Sequence, residues 1–501
     1  MRGEPAPTEE DARAPDILDT AAAGSAAIRG GALRVAGYAA GVLVTVVSAA
    51  ILFRYLGVDD AGRYVTVLTL VVMASGLVDL GLTMIAVREL AVRPRAEARR
   101  FMRNVVGLRL TLTSAGIALA VGFAAVAGYP SAMVWGTLVA GVGMLMAAAQ
   151  GTLAADLMVR MRLGWLTAIE LLRQTLVAIG IVVLVVAGAS LLPFFATLVP
   201  AGIVALGLTV VLVRRDVPIR PALDLREWWA VLGQMIPYAA ATALTTVYLR
   251  VAVIIVSLQG TESQTGYYGA AFRITEVLLL VPNLIVSTAF PIFARAARDD
   301  RERFAYAVQR MYEAGLLLGG WVAGILIAGA PFVIEVVAGP DFAPSAGVLR
   351  IQAVALLATF VGSTFLYALL TLHRHTVLLV VTGGAFAVNV VLVLLLLPVG
   401  GIELAALATV IAELTLLVGA GTFVRRAVPG LRLASRTAVR MLPALAVAAG
   451  LALVPGVPAV LLGILAALVY PALALLLGAV PEEIVVEARQ IVRGRLGRSR
   501  G

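Results

Sequence analysis

The sequence contains no cysteine and no lysine, and each absence excludes a class of chemistry. Without cysteine the chain forms no disulfide bond and no thiolate metal site. All 39 basic residues are arginine, so the chain also lacks the lysine of a Walker A phosphate loop and of a Schiff base. The only two histidines, His373 and His375, fit a solvated loop end better than a metal site. We therefore expect no metal, no cofactor and no P-loop ATPase in this chain.

Charged residues are also scarce. They make up 14% of the chain, against about 25% in an ordinary soluble domain, whereas 61% of the residues are hydrophobic. The mean hydropathy is +1.00. Such a composition cannot cover a water-facing surface, so it indicates an integral membrane protein. The net charge of +10 does not indicate a nucleic-acid partner, because the arginines lie in short loops between apolar runs.

Apolar runs long enough to cross a bilayer recur along the whole chain. A helix needs about 20 mostly apolar residues to cross the hydrocarbon core. By this criterion the sequence predicts an all-α polytopic membrane protein with about fourteen transmembrane helices. The predicted spans cover residues 32–52, 62–87, 104–127, 132–155, 165–187, 191–213, 228–257, 265–291, 305–330, 345–371, 376–397, 400–424, 437–455 and 457–478.

The arginines fall in every second loop between these spans. The loops that follow the even-numbered spans, up to the twelfth, are arginine-rich, whereas the alternate loops hold only Arg54 and Arg63. Because arginine and lysine accumulate in short cytoplasmic loops, we predict that both termini are cytoplasmic. Residues 1–30 are acidic and rich in proline and alanine, which predicts a disordered cytoplasmic tail. Residues 481–501 fit either a basic helix on the membrane surface or a tail that enforces the topology.

Two short matches suggest an internal repeat. Residues 37–40 (GYAA) match residues 237–240 (PYAA), and residues 61–64 (AGRY) match residues 265–268 (TGYY). Because the first and seventh spans run in the same direction, the two halves are parallel repeats related by an axis along the membrane normal. The predicted division is an N-lobe at residues 31–215, a C-lobe at 216–426, two appended spans at 427–480 and a cytoplasmic segment at 481–501.

The region around the second span carries a recognisable pair of motifs. Residues 56–64 read LGVDDAGRY and residues 77–82 read LVDLGL, and in this order they resemble the opening signature of Wzx-type polysaccharide flippases. The resemblance covers roughly residues 30–425. It extends to the multidrug/oligosaccharidyl-lipid/polysaccharide (MOP) exporter superfamily, which also contains lipid II flippases and multidrug exporters. The C-lobe agrees at residues 266–268 (GYY), Pro282, 290–291 (FP), 339–342 (GPDF) and 349–350 (LR).

The resemblance implies two six-helix lobes around a central cavity that spans one, two, seven and eight mainly line. It implies a non-enzymatic flippase of the bacterial plasma membrane that works by alternating access. The implied cargo is a polyprenyl-diphosphate-linked oligosaccharide, carried from the inner to the outer leaflet for cell-surface polysaccharide biosynthesis. Membrane lipids and other membrane proteins of polysaccharide assembly are the implied partners.

Four charged residues are candidates for binding the diphosphate of such a cargo. Charged groups inside the membrane are costly and by default indicate function, and guanidinium groups bind phosphate oxygens in a bidentate way. We predict that Arg250 in the seventh span and Arg273 in the eighth hold the diphosphate, with Glu276 paired to Arg273 at i, i+3 spacing. Arg34, at the cytoplasmic start of the first span, is predicted to meet it first, although snorkelling to the lipid interface explains Arg34 about equally well.

Two further pairs share the i, i+3 spacing. Glu170 with Arg173 lies on the fifth span and Arg310 with Glu313 on the ninth. For both pairs we favour a structural interpretation, in which each charge neutralises its neighbour.

Asp79 and Glu413 are predicted to be unpaired acids within the second and twelfth spans, and ion or proton coupling is one interpretation of both. For Asp79 a structural role fits better, because the residue lies towards the cytoplasmic end of its helix. For Glu413 the two interpretations balance.

Three other functions compete with the flippase interpretation. A membrane-embedded glycosyltransferase or glycan polymerase would use Asp59 and Asp60 as catalytic acids, but the same residues fit a simple Gly-Val-Asp-Asp turn. No external loop exceeds about fifteen residues, which leaves no added domain for an acceptor. A multidrug exporter of the same superfamily is the second rival, although a cavity with arginines would repel cations. The third is a membrane scaffold whose intramembrane charges only pair with one another.

Overall fold

The structure, a computed structural model, is entirely helical in the residues that it describes. These are residues 21–480 apart from 80, 216, 219, 283–285, 287–292, 294, 298–299 and 432–435, and side chains are described from residue 37 with further gaps at 38, 95, 230, 234–239 and 241. The helices are α1 (Ala21–Asp79), α2 (Leu82–Val92), α3 (Arg95–Val126), α4 (Ser131–Leu153), α5 (Ala155–Val159), α6 (Leu163–Val186), α7 (Leu191–Ala196), α8 (Leu198–Val213), α9 (Leu225–Gln259), α10 (Glu262–Leu278), α11 (Arg301–Val337), α12 (Ser345–Thr371), α13 (His375–Ala427), α14 (Arg436–Gly450) and α15 (Ala459–Leu476). Two 3-10 turns, Pro340–Phe342 and Leu451–Leu453, complete the described elements.

The helices confirm the polytopic membrane fold. Among the described residues, eleven helical segments are long and apolar enough to cross a membrane, and two of them, Ala39–Val92 and His375–Ala427, are 54 and 53 residues long. At 1.5 Å per residue such a segment is about 80 Å long, so each crosses a core of about 30 Å twice. The segments therefore supply thirteen crossings. Helix α10, with 17 residues and three charged side chains, does not meet the criterion of length and composition, so a fourteenth crossing there stays a prediction.

Both long helices break at glycines. Gly57 in α1 has φ 71° and ψ −177°, a conformation that suits only glycine. In α13 the break lies at Gly400 and Gly401, two residues after Pro398. The sequence predicts a Gly-Val-Asp-Asp turn after the first span, but Gly57 alone leaves the helical conformation there. As a consequence, Asp59 and Asp60 lie on a helix and not in a loop.

Helix α1 also begins earlier than predicted. It starts at Ala21, within residues 1–30, for which the sequence predicts a disordered tail. The physical reason is composition, because five alanines among residues 21–27 favour a helix. Residues 1–20 and 481–501 lie outside the described part of the chain.

The two appended helices pack against α11 through small residues. Gly329 of α11 and Gly463 of α15 approach closely, with a Cβ at position 329 meeting the Cα of Gly463 at 3.3 Å. Trp321 of α11 donates its indole N–H to the carbonyl oxygen of Ala467 at 2.9 Å. Close contact through small residues is a usual way for transmembrane helices to associate.

Candidate substrate cavity

A cavity of about 550 Å³ lies between the two lobes. Its size is in the range of typical ligand pockets, about 300–1,000 Å³. Both halves of α1 line it together with α9 and α10. These helices contain the predicted spans one, two, seven and eight, which the resemblance implies line the cavity. Helices α4, α6 and α8 line it too, so a large part of the cavity surface belongs to the N-lobe.

The C-lobe side of the cavity brings three of the predicted site residues together. Arg250 of α9 donates from Nη2 to Oε1 of Glu276 at 2.5 Å, and Arg273 donates from Nη1 to Oε2 of the same carboxylate at 2.7 Å. We call Arg250, Arg273 and Glu276 the C-lobe wall. One carboxylate thus bridges two guanidinium groups from two helices and balances only one of their two positive charges. The side chains stay 17%, 34% and 22% exposed, so their polar atoms are within reach of a ligand.

The N-lobe side carries a second polar group, which we call the N-lobe wall, formed by Glu170, Arg173 and Gln174 of α6. Arg173 donates to both oxygens of Glu170, from Nη2 at 2.6 Å and from Nε at 3.1 Å. Gln174 donates from Nε2 to Oε1 of Glu170 at 2.8 Å. The predicted i, i+3 pair is therefore present, and it lines the cavity, a position that the sequence did not predict. The stripe of three polar side chains on one face of an apolar helix is the signal that indicates it.

The two walls differ in charge. The C-lobe wall has two guanidinium groups and one carboxylate, whereas the N-lobe wall has one of each and is formally neutral. The charged lining residues are thus three arginines and two glutamates, with a net formal charge of +1. This surplus lies at the C-lobe wall and favours an anion there.

The lobes are closed against each other at the end of the bundle that contains Gly57, which the arginine pattern predicts to be the outer end. Arg63 of α1 donates to both oxygens of Glu262 at the start of α10, at 2.8 and 2.6 Å. Ser263 donates its hydroxyl to Asp59 at 2.7 Å. Between these contacts Gly62 lies against Gly266, where a Cβ at position 62 would be 2.7 Å from the Gly266 nitrogen. The apparent repeat pairs these same two glycines.

Asp79 and Glu413 have different surroundings. Asp79 is predicted to be unpaired, but it forms an ion pair with Arg109 of α3, whose side chain is 9% exposed. This pairing supports the structural interpretation of Asp79. Glu413 is buried in the C-lobe, where it accepts hydrogen bonds from the Tyr248 hydroxyl at 2.7 Å and the Thr359 hydroxyl at 3.0 Å. It lines a separate cavity of about 290 Å³, and no ion pair to it occurs among the described residues.

The remaining predicted residues lie elsewhere. The side chain of Arg34 is outside the described part of the chain. Arg310 and Glu313 form the expected pair at 2.9 Å on α11, away from the residues that line the substrate cavity.

Comparison with known proteins places the chain in a family. The family described as polysaccharide biosynthesis protein matches residues 28–297, which is more than half of the chain. The chain belongs to the polysaccharide biosynthesis protein family. No curated protein sequence matches it significantly. Family membership agrees with the resemblance that the motifs of residues 56–64 and 77–82 carry.

Solved structures show that this family member has the MOP superfamily fold. A lipid II flippase, MurJ, in an inward closed conformation superposes with a TM-score of 0.69 at 13% identity, over 88% of this chain and 98% of that chain. An inward-facing multidrug resistance MATE family transporter gives 0.62 at 14% identity, over 78% of this chain and 95% of that chain. A MOP superfamily transporter from Pyrococcus furiosus gives 0.57 at 14% identity, over 81% of this chain and 95% of that chain. The predicted fold class is confirmed, and the fold is the one that these MOP superfamily transporters have.

The residues proposed for a rival enzyme have structural partners in this family member. Asp59 accepts a hydrogen bond from Ser263, and Asp60 forms an ion pair with Arg63 at 2.8 Å. Asp59 therefore belongs to the contact between the lobes, and Asp60 pairs with Arg63, which itself donates to Glu262 across that contact.

Proposed function

We propose that this protein is a flippase that carries a polyprenyl-diphosphate-linked oligosaccharide from the inner to the outer leaflet of the bacterial plasma membrane by alternating access. The observation that carries the proposal is the convergence of Arg250 and Arg273 on one carboxylate inside a membrane-embedded cavity. Guanidinium groups on two helices, with a surplus positive charge, fit a diphosphate that bridges them. Membership of a polysaccharide biosynthesis family supports the identity of the cargo.

In this proposal Glu276 holds the site ready in the absence of cargo. Two guanidinium groups close enough to share a carboxylate repel each other when that carboxylate is removed. Glu276 therefore occupies the position that a phosphate group takes on binding. When the cargo is released, the Glu276 carboxylate replaces the phosphate at the two guanidinium groups. Arg34, at the predicted cytoplasmic start of α1, would meet the diphosphate before it reaches the C-lobe wall.

The membrane potential supplies a driving force for this cargo. Moving one charge through 100 mV is worth about 2.3 kcal/mol, so exporting a diphosphate with two negative charges gains roughly 4–5 kcal/mol from an inside-negative cell. Ion coupling would add to this force. We propose Glu413 for such coupling. It is a buried carboxyl group, and its described partners are hydroxyl groups. A carboxyl group in these surroundings suits the uptake of a proton or a small cation.

A multidrug exporter is the alternative that the fold itself allows, because MATE transporters share it. The carboxylates of Glu170 and Glu276 are groups that an organic cation would bind. The three arginines of the cavity outnumber these two carboxylates and favour an anionic cargo.

Depletion of the protein in its native host tests the proposal. Mass spectrometry of polyprenyl-diphosphate glycans, combined with an impermeant glycosidase, reports both the glycan and its leaflet. We expect a complete lipid-linked oligosaccharide to accumulate and to stay protected inside the cell. A shorter precursor exposed on the outside would instead indicate a glycosyltransferase that acts after translocation.

A further inference from the structure

The polar side chains of the N-lobe wall lie on a face of α6 that lines the cavity. Residues Glu170, Arg173, Gln174, Val177 and Ile181 of α6 all line it. Their spacing of three, four, seven and eleven positions from Glu170 puts them on one face of the helix. The side chains of Glu170 and Arg173 remain 48% and 29% exposed.

The hydrogen bonds of these groups are local to one helix, although the Gln174 side chain also packs against Gly41 of α1. In the described part of the chain, the hydrogen bonds of Glu170 and Arg173 and the amide donor of Gln174 all stay within α6. Structural polar residues of membrane proteins commonly bond across helices, as Arg109 does with Asp79. A polar network that is confined to one helix and faces a cavity contributes little to packing. Since such groups are costly inside a membrane, their position indicates contact with a ligand.

We propose that the N-lobe wall is a sugar-binding subsite, which takes hydroxyl groups of the cargo's glycan while the C-lobe wall holds the diphosphate. The inference rests on the proposed flippase function. A sugar hydroxyl both donates and accepts hydrogen bonds, and the wall offers a carboxylate acceptor, a guanidinium donor and an amide. When a glycan moves from water into this cavity, its hydroxyl groups need hydrogen-bond partners, because burying an unpaired polar group costs free energy.

The charge balance separates the two subsites. Glu170 neutralises Arg173 through both of its oxygens, so the N-lobe wall has no surplus charge to attract a phosphate. At the C-lobe wall one carboxylate accepts hydrogen bonds from two guanidinium groups, so one positive charge is not balanced. The diphosphate therefore prefers the C-lobe wall, and uncharged hydroxyl groups of the glycan bind on the opposite side.

Binding of two lipids tests the subsite. The probes are undecaprenyl diphosphate without sugar and the lipid-linked oligosaccharide purified from depleted host cells, each titrated against the full chain in lipid nanodiscs. The double variant Glu170→Gln/Arg173→Gln removes the wall's charges without changing the net charge of the cavity. The matched control is Arg310→Gln/Glu313→Gln, a pair with the same spacing on α11, away from the cavity lining.

We expect the double variant to lose about tenfold or more in affinity for the oligosaccharide lipid and less than about twofold for the bare lipid. The control should change neither affinity. Gln174→Leu, which keeps the ion pair, should lose about threefold for the oligosaccharide lipid alone, and it keeps the test decisive if the double variant does not fold.

Equal losses for both lipids, or no loss for either, would overturn the sugar subsite and leave the flippase proposal standing. If the unaltered protein bound neither lipid, and Arg250→Gln and Arg273→Gln changed nothing, the flippase proposal itself would fail and the subsite with it.

Discussion

At the scale of single residues, the cavity depends on how charges are shared. Arg250 and Arg273 share the carboxylate of Glu276, whereas Arg173 is the only arginine paired with Glu170 among the described residues. Helix geometry predicts the pairs within one helix, since residues three apart lie on the same face. It cannot predict Arg250 with Glu276, because that contact depends on how α9 packs against α10. For this reason the sequence identifies the charged residues but not the difference between the two walls.

Replacing either arginine of the C-lobe wall should impair transport. Arg250→Gln and Arg273→Gln each remove charge-assisted hydrogen bonds to the diphosphate, worth about 1.5–3 kcal/mol, so transport at limiting cargo should fall about 10- to 100-fold. Complementation of a depleted host by variants of matched membrane abundance measures this. Arg310→Gln, away from the cavity lining, serves as the control and should complement. Full complementation by both cavity variants would rule out their assigned role.

Removing the shared carboxylate should have the opposite effect on binding. Glu276→Gln takes away the group that competes with the cargo, so the affinity for undecaprenyl diphosphate should rise about tenfold while cargo release slows. Titration in nanodiscs, together with the maximal rate of transport in vesicles, separates the two effects. Glu313→Gln is the matched control. A variant with weaker binding would show that Glu276 helps to hold the cargo instead of competing with it.

The buried carboxyl of Glu413 gives a test of coupling. Glu413→Gln keeps the size of the side chain and one oxygen that accepts a hydrogen bond from Tyr248 or Thr359, presents an NH2 donor to the other hydroxyl, and cannot take up a proton. We expect transport to persist and to lose its response to an imposed proton or sodium gradient. Asp79→Asn, next to the buried Arg109, should instead lower the thermal stability and leave any gradient response intact. An unchanged gradient response in Glu413→Gln would exclude the coupling role.

At the scale of helices, most of the fold follows from the sequence. A transmembrane helix satisfies its backbone hydrogen bonds within itself, so length and hydropathy predict it without knowledge of its neighbours. What the sequence does not reveal is contact between helices, such as Gly62 with Gly266 and Arg63 with Glu262. It also misplaces the turn near Gly57, since one glycine with a positive φ is enough to break α1. Such details depend on tertiary packing.

The close approach of Gly62 and Gly266 should control closure of the predicted outer end. The polar contacts there are partly exposed, with Arg63 at 32% and Glu262 at 48%, so they contribute only about 0–1 kcal/mol. A side chain at position 266 would overlap the backbone oxygen of Val58. We therefore expect Gly266→Leu to hold the outer end open, whereas Gly122→Leu, with open space around it, should have no effect.

Cross-linking measures this closure directly. The chain has no cysteine, so Asp59→Cys/Ser263→Cys is the only thiol pair when both are introduced. A short bifunctional thiol reagent should link the pair efficiently in the otherwise unaltered protein and poorly when Gly266→Leu is added. Equal linking in the two backgrounds would show that the glycine contact does not set the closed state.

At the scale of the whole molecule, the lobes meet along a cavity whose two sides carry different chemistry. The C-lobe side suits an anion and the N-lobe side suits neutral polar groups, which matches a cargo with a diphosphate at one end and a glycan beyond it. Because the proposed diphosphate cargo would carry two negative charges, an inside-negative potential would favour its export by roughly 4–5 kcal/mol per 100 mV.

The most direct test of the flippase is transport in proteoliposomes that contain the purified protein and the oligosaccharide lipid from depleted cells. The fraction of lipid that an impermeant glycosidase digests, followed over time under an imposed potential, measures translocation. We predict that the protein exposes the protected lipid, that a potential negative on the starting side accelerates this, and that Arg250→Gln/Arg273→Gln abolishes it. A digested fraction that is the same with the protein, with the double variant and with empty vesicles would contradict the account.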